Sequence, residues 1–183
     1  MRTLYYGIKV CIVLIPLFLV SCSGCNLPFT EKENTVTILS YNLQNYFDAV
    51  SDGGEYPEYD PEKGNWNLET LQIKTDRIAS AIRISEKGGP DIIALQEIEH
   101  LSALRHLADK GLSGMGYSFI ACPPSVETAT TTGIVSRFPI AHVRSHAVTC
   151  PDGPPLRHIV EAHISIGEKK IILFVNHWKS KLG

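Results

Sequence analysis

The sequence predicts an α/β domain, and three observations carry the expectation. Short β-branched and apolar runs each close on a polar residue, helical periodicity is confined to the stretches after the first two of these runs, and a succession of strand-like segments follows. The first run, Thr35-Val36-Thr37-Ile38-Leu39-Ser40-Tyr41-Asn42, ends on an amide and leads into the aromatic stretch Leu43-Gln44-Asn45-Tyr46-Phe47-Asp48. A long polar loop at 48–66, rich in Gly, Glu and Tyr, has the composition of a surface or substrate-side insertion. Over 68–87, Leu71, Ile78 and Ile82 fall on one helical face, with Asn67 able to cap the start and Gly88-Gly89-Pro90 ending it. Pro90-Asp91-Ile92-Ile93-Ala94-Leu95-Gln96-Glu97 opens on a turn signal, continues as a core strand and closes on a carboxylate. Leu101, Leu104, Ala108 and Leu112 describe a second helix, stopped by the glycines at 111, 114 and 116. Segments 117–121, 132–136, 141–148, 156–166 and 169–176 then read as strands, the last delivering Asn176-His177. There is no internal repeat or low-complexity tract.

Three buried strands thus end on an amide (Asn42), a carboxylate (Glu97) and an imidazole (His177). That set suits a hard divalent cation beside a phosphate, because Mg²⁺ takes one or two carboxylates and completes its shell with water and substrate oxygens. A histidine can donate to the phosphate as charge develops on it. Each residue also has a plainer reading: Asn42 as a turn former after a strand, Glu97 as a solvated acid like Glu99 beside it, His177 as a structural histidine. The other histidines, at 100, 106, 142, 146, 158 and 163, show no ligand spacing, and the absence of HExxH and CxxC pairs argues against zinc.

The blocks Ile38-Leu39-Ser40-Tyr41-Asn42, Pro90-Asp91-Ile92-Ile93-Ala94-Leu95-Gln96-Glu97, Gly133-Ile134-Val135-Ser136-Arg137-Phe138-Pro139-Ile140 and Asn176-His177-Trp178-Lys179-Ser180-Lys181 occur in that order. Together they resemble the N-terminal part of the endonuclease/exonuclease/phosphatase superfamily, the metal-dependent phosphoesterases. The resemblance implies a four-layered α/β sandwich of two packed sheets, of which this chain would supply about one sheet with its helices. It implies that Asn42 orients the metal site and its water, Glu97 binds Mg²⁺ (or Mn²⁺), His177 contacts the scissile phosphate, and Arg157 lies near that phosphate. An Asp-x-Asn segment and a terminal Asp-His pair that follow in the family are not found up to Gly183. The expectation is therefore a truncated domain with little turnover alone, its second half possible as a separately encoded partner. The Asn-His-Trp-Lys-Ser-Lys loop favours a nuclease-like enzyme acting on DNA or RNA; a lipid or sugar phosphodiesterase and an inactive envelope lipoprotein or gene remnant are the alternatives.

The N-terminus has the order of a signal peptide: Arg2 and Lys9, an apolar run at 10–20 too short to span a bilayer as a mature helix, then Leu19-Val20-Ser21-Cys22. The last four residues resemble a bacterial lipobox, implying cleavage before Cys22 and lipid on its thiol. The expected organisation is a signal peptide at 1–21, a tether at 22–34 and the domain at 35–183, lipid-anchored to the membrane of a bacterial cell envelope. An apolar content of 44% against 20% charged residues is enough to build a core and excludes disorder. Loss of Arg2 and Lys9 takes the net charge from −2 to −4, which weighs against sequence-blind clamping of nucleic acid. Cys122 and Cys150 close strand-like segments and would pair in an oxidising compartment or remain two buried thiols.

Overall fold

A computed structural model describes residues 35–124, 128–149, 153 and 156–178. The signal peptide, the tether, Cys22 and Cys150 lie outside the described residues, as does the chain from Lys179 onward. The elements run β1 (Ile38–Tyr46), α1 (Leu68–Ser85), β2 (Ile92–Ile98), α2 (Leu101–His106), β3 (Phe119–Ala121), β4 (Thr131–Ser136), β5 (Ile140–His146), β6 (Ile159–Ile166) and β7 (Lys169–Val175).

The seven strands form two sheets, so the chain contributes to both rather than filling about one. The first has the order β1-β2-β4-β3, with β1 parallel to β2 and the remaining pairs antiparallel. The second is the antiparallel ribbon β5-β6-β7. Alternation along β2 shows how the layers are built. Ile93 and Leu95 join the core under the helices, with Leu71, Ile78 and Ile82 of α1 and Leu104 of α2. Ile92 and Ala94 face the other way and pack with Val160, Ala162, Ile164 and Val175 of the second sheet. β2 is therefore apolar on both faces, the pattern of a strand enclosed between layers.

α1 starts where its sequence allows it to. The Asn67 side chain accepts from the Thr70 N–H at 3.0 Å, Glu69 lies in the first turn and Arg83 in the last, both with the favourable sign for the helix dipole. α2 departs from expectation. It is α-helical only to His106 and then widens into a π-helical turn over Leu107–Gly111, the Leu112 N–H reaching back to the Leu107 carbonyl at 3.0 Å. That turn lies so close to α1 that a Cβ on Gly111 would come within 2.9 Å of Thr75 Cγ2.

Strand ends also moved. β1 continues past Asn42 to Tyr46, because Tyr46 pairs with Ile98 after a break in register. β5 stops at His146 and β6 begins at Ile159, the pair with which their ladder ends. The loop at 48–66 is not simply polar surface. Phe47 stacks on Tyr59 at 4.8 Å, Tyr59 meets Trp66 edge-on at 5.1 Å, and the Trp66 indole N–H donates to the Asp48 carbonyl at 2.8 Å. These rings fasten the loop into the helix-side core.

Candidate active site

Parallel pairing carries the C-terminal ends of β1 and β2 to one edge of the first sheet, with Asn42 opposite Gln96. Both strands abandon regular geometry there. Register breaks fall between Asn42 and Tyr46 and between Gln96 and Ile98, and Gln44, Asn45 and Glu97 adopt positive φ at 55°, 63° and 61°. A non-glycine residue in that region costs about 1–3 kcal/mol and persists only where its surroundings enforce it.

What enforces it is a set of side-chain bonds around the Glu97 carboxylate. Its Oε1 accepts from the Asn42 amide Nδ2 at 3.0 Å and lies 3.0 Å from His177 Nε2. Oε2 accepts the Asn45 backbone N–H at 2.9 Å, and Asn42 Oδ1 takes the Gln44 N–H at 2.8 Å. The bulge therefore turns two consecutive backbone donors toward the side chains of Asn42 and Glu97. His177 lies two residues past the end of β7 and is mostly buried. Burial and the charge of Arg157 hold its imidazole below the ordinary range, against the opposing pull of Glu97. Arg157 Nε, next to this histidine, is buried without a hydrogen-bond partner.

Lys74 of α1 closes the site from behind, and nothing in the sequence analysis singled it out. Its ammonium donates to the carbonyls of Gln44 and Asn45 at 2.5 and 2.6 Å and sits 5.5 Å from the centroids of both the Tyr59 and Trp66 rings. Burial pulls its pKa down to about 8, opposed by the nearby Glu97. This helix-borne cation thus braces the positive-φ residues Gln44 and Asn45, at the price of partial desolvation.

The structure brings Asn42, Glu97, His177 and Arg157 into one neighbourhood. Arg137 of the Ser-Arg-Phe-Pro block is elsewhere, at the N-terminal end of β2, bonded to Asp91, Gly89 and Met115. Cys122 is half-buried and burial pushes its thiol up to about 12; its expected partner lies outside the described residues. Glu99, read from sequence as a solvated acid, is 4% exposed, and burial raises its carboxyl to about 7. Together with Asp48, Asp52, Glu55 and His100 it forms a second polar cluster beside the first. No sequence spacing announces that cluster, since its members come from the start of one loop and from the two residues that follow β2.

The model of the Endonuclease/Exonuclease/phosphatase family matches residues 37–183. The chain belongs to this family. The endonuclease/exonuclease/phosphatase chain described here is also similar to two solved structures. One is a D. rerio TDP2 humanized by 14 mutations, with 17% identity over 80% of this chain and 51% of that one, at a TM-score of 0.48. The other is the selenomethionine TDP2 from Caenorhabditis elegans, with 18% identity over 80% of this chain and 36% of that one, at a TM-score of 0.50. The chain thus spans about half the length of the first and about a third of the second. No curated protein matches it in sequence. The family is one of divalent-metal-dependent phosphoesterases, and the fold is its α/β fold.

Proposed function

We propose that this chain carries the phosphate- and metal-binding part of a phosphodiester hydrolase, nuclease-like in type and anchored to the cell envelope through Cys22. The observation that carries the reading is the Asn42–Glu97–His177 constellation, with the unpartnered guanidinium Nε of Arg157 beside it. A buried N–H left without a partner is costly unless a ligand supplies the acceptor, and a phosphate oxygen is a strong one.

The donor set fits a hard divalent ion: one carboxylate, an amide, and no thiolate among the described site residues. Glu97 would hold it, with Asn42 fixing the carboxylate through Nδ2. The ion would polarise the phosphoryl oxygen and lower the pKa of a bound water. The protein's own groups do the rest. Asn42 and the Asn45 N–H keep Glu97 in one orientation, which spares the site any reorganisation when substrate arrives. His177, its pKa lowered by burial and Arg157, holds Nε2 3.0 Å from Glu97 Oε1; with the ion on that oxygen, the ring N–H would be released to a phosphate oxygen. Arg157 adds a fixed positive charge on the same side. A lipid phosphodiester is the second reading; the net charge of −2 favours it, since the chain offers a polyanion no net positive charge.

The test is hydrolysis of bis-p-nitrophenyl phosphate, plasmid DNA and sphingomyelin by the purified chain with Mg²⁺ or Mn²⁺. Weak, EDTA-sensitive turnover that disappears in Glu97→Gln and His177→Ala is expected, with plasmid DNA preferred. Turnover that survives both substitutions overturns the assignment.

A further inference from the structure

The cluster beyond Glu97 is distinct from the phosphate site in its residues and in what it lacks. Two groups of potential ligand atoms share Glu99: Asp48, Glu99 and His100 in one, and Asp52, Glu55 and Glu99 in the other, each with all its atoms within 4.8 Å of one another. Acids gather on many protein surfaces, but Glu99 is not on the surface. It is 4% exposed, its Oε2 accepts the Asp48 N–H at 2.8 Å, and its Oε1 is buried without any partner. A carboxylate oxygen enclosed this way among other carboxylates is strongly unfavourable by itself, because neither water nor a donor compensates its charge. His100 does not resolve the imbalance, since its Nε2 is spent on Asp52 Oδ2 at 3.0 Å and stays 3.7 Å from Glu99.

We infer that Asp48, Asp52, Glu55 and Glu99 form a binding site for a second, oxygen-ligated divalent cation of the Ca²⁺ class. Four carboxylates supply the hard oxygen donors that Ca²⁺ takes in numbers of six to eight, and the Asp52-Gly53-Gly54 segment that leads into half-buried Glu55 is exposed. Mg²⁺ demands a stricter octahedron and keeps its waters, which suits the single carboxylate at Glu97 better than this pocket. The role is structural: the ion ties the loop at 48–66 to the end of β2, next to the phosphate site but outside it. The inference does not depend on the proposed hydrolase activity.

Tb³⁺ is the probe, because it replaces Ca²⁺ and luminesces when a nearby indole is excited. Trp66, bonded through its ring N–H to the Asp48 carbonyl, is that indole. In the full chain, Tb³⁺ luminescence excited through tryptophan should be displaced by CaCl₂ and should fall several-fold in Trp66→Phe. It should persist in Glu97→Gln and vanish in Glu99→Gln and in the double variant Asp52→Asn, Glu55→Gln. The double variant changes only loop residues and guards against misfolding of Glu99→Gln. Saturating CaCl₂ should raise the melting temperature by about 5 °C in the wild type and in Glu97→Gln, and in neither cluster variant. Luminescence lost in Glu97→Gln and kept in the double variant would place the ion at the phosphate site and overturn the inference, as would no response to Tb³⁺ or Ca²⁺.

Discussion

At the N-terminal end of the β1–β2 pair, the Asp91 carboxylate takes the Thr37 N–H at 2.9 Å and its hydroxyl at 3.0 Å, while Arg137 reaches Asp91 at 3.3 Å and the carbonyls of Gly89 and Met115 at 3.1 and 3.0 Å. The guanidinium also lies 5.0 Å from the Tyr117 ring centroid and bonds the Gly88 carbonyl. At the C-terminal end of the same two strands, three residues are held at positive φ and a buried arginine N–H has no partner. One end is saturated with native bonds and the other is strained and under-bonded. Both ends use an acid and a cation, so charge alone does not mark a functional site. What distinguishes the ends is whether the groups are satisfied by the protein itself.

Substitutions separate the ends. The largest effect expected is on chemistry: Glu97→Gln should lower metal-dependent phosphodiester hydrolysis about 1000-fold while leaving the denaturant midpoint nearly unchanged. A parallel loss of folded protein, followed by circular dichroism, would show that Glu97 belongs to the scaffold. Arg137→Leu should do the opposite, costing about 3 kcal/mol in urea unfolding because several carbonyls and a half-buried carboxylate lose their donor together. Any hydrolysis per folded molecule should be retained in that variant.

Lys74→Met falls between the two. Losing two charge-assisted bonds to carbonyls should cost about 2 kcal/mol, and freeing the bulge should lower activity by roughly tenfold through misplacement of Glu97. Its pH dependence gives a sharper signature. Because the folded-state pKa of Lys74 lies near 8, below that of the unfolded chain, folding favours the neutral amine, so wild-type stability should gain a contribution as pH rises from about 8 toward 10.5. Urea titrations at pH 7.5 and 10 should show that gain in wild type and not in Lys74→Met. The smallest effect expected is a stabilisation: Glu97→Gly relieves the φ of 61° and should raise stability by about 1 kcal/mol while abolishing function. A destabilised Glu97→Gly would mean that the side-chain bonds outweigh the strain they impose.

The fold and the proximity of the proposed trio were legible in sequence for one reason: an apolar run that ends in a polar residue names both a strand and the side chain at its exit. Asn42, Glu97 and His177 each follow such a run. Lys74 does not, since a lysine on an amphipathic helix reads as ordinary solvated charge until tertiary packing sets it against Tyr59 and Trp66. The strained backbone was hidden because no glycine marks it; the bonds to Glu97 impose it from 52 and 55 positions away. Glu99 looked solvated because the loop that buries it has a polar composition, and the aromatic rings that pin the loop are only three among its residues.

The long sequence separation within the site also orders events in time. Asn42 and Glu97 are 55 positions apart, on strands that can pair in parallel only after the loop and all of α1 have been laid between them. Closing so large a loop costs entropy before any contact compensates it, so α1 and the hairpin-linked strands β5 and β6–β7 can form early while the β1–β2 junction waits. During synthesis the carboxylate and its amide partner meet only once the ribosome has moved well past β2, and His177 joins later still. The proposed site should therefore be among the last features of this chain to be completed.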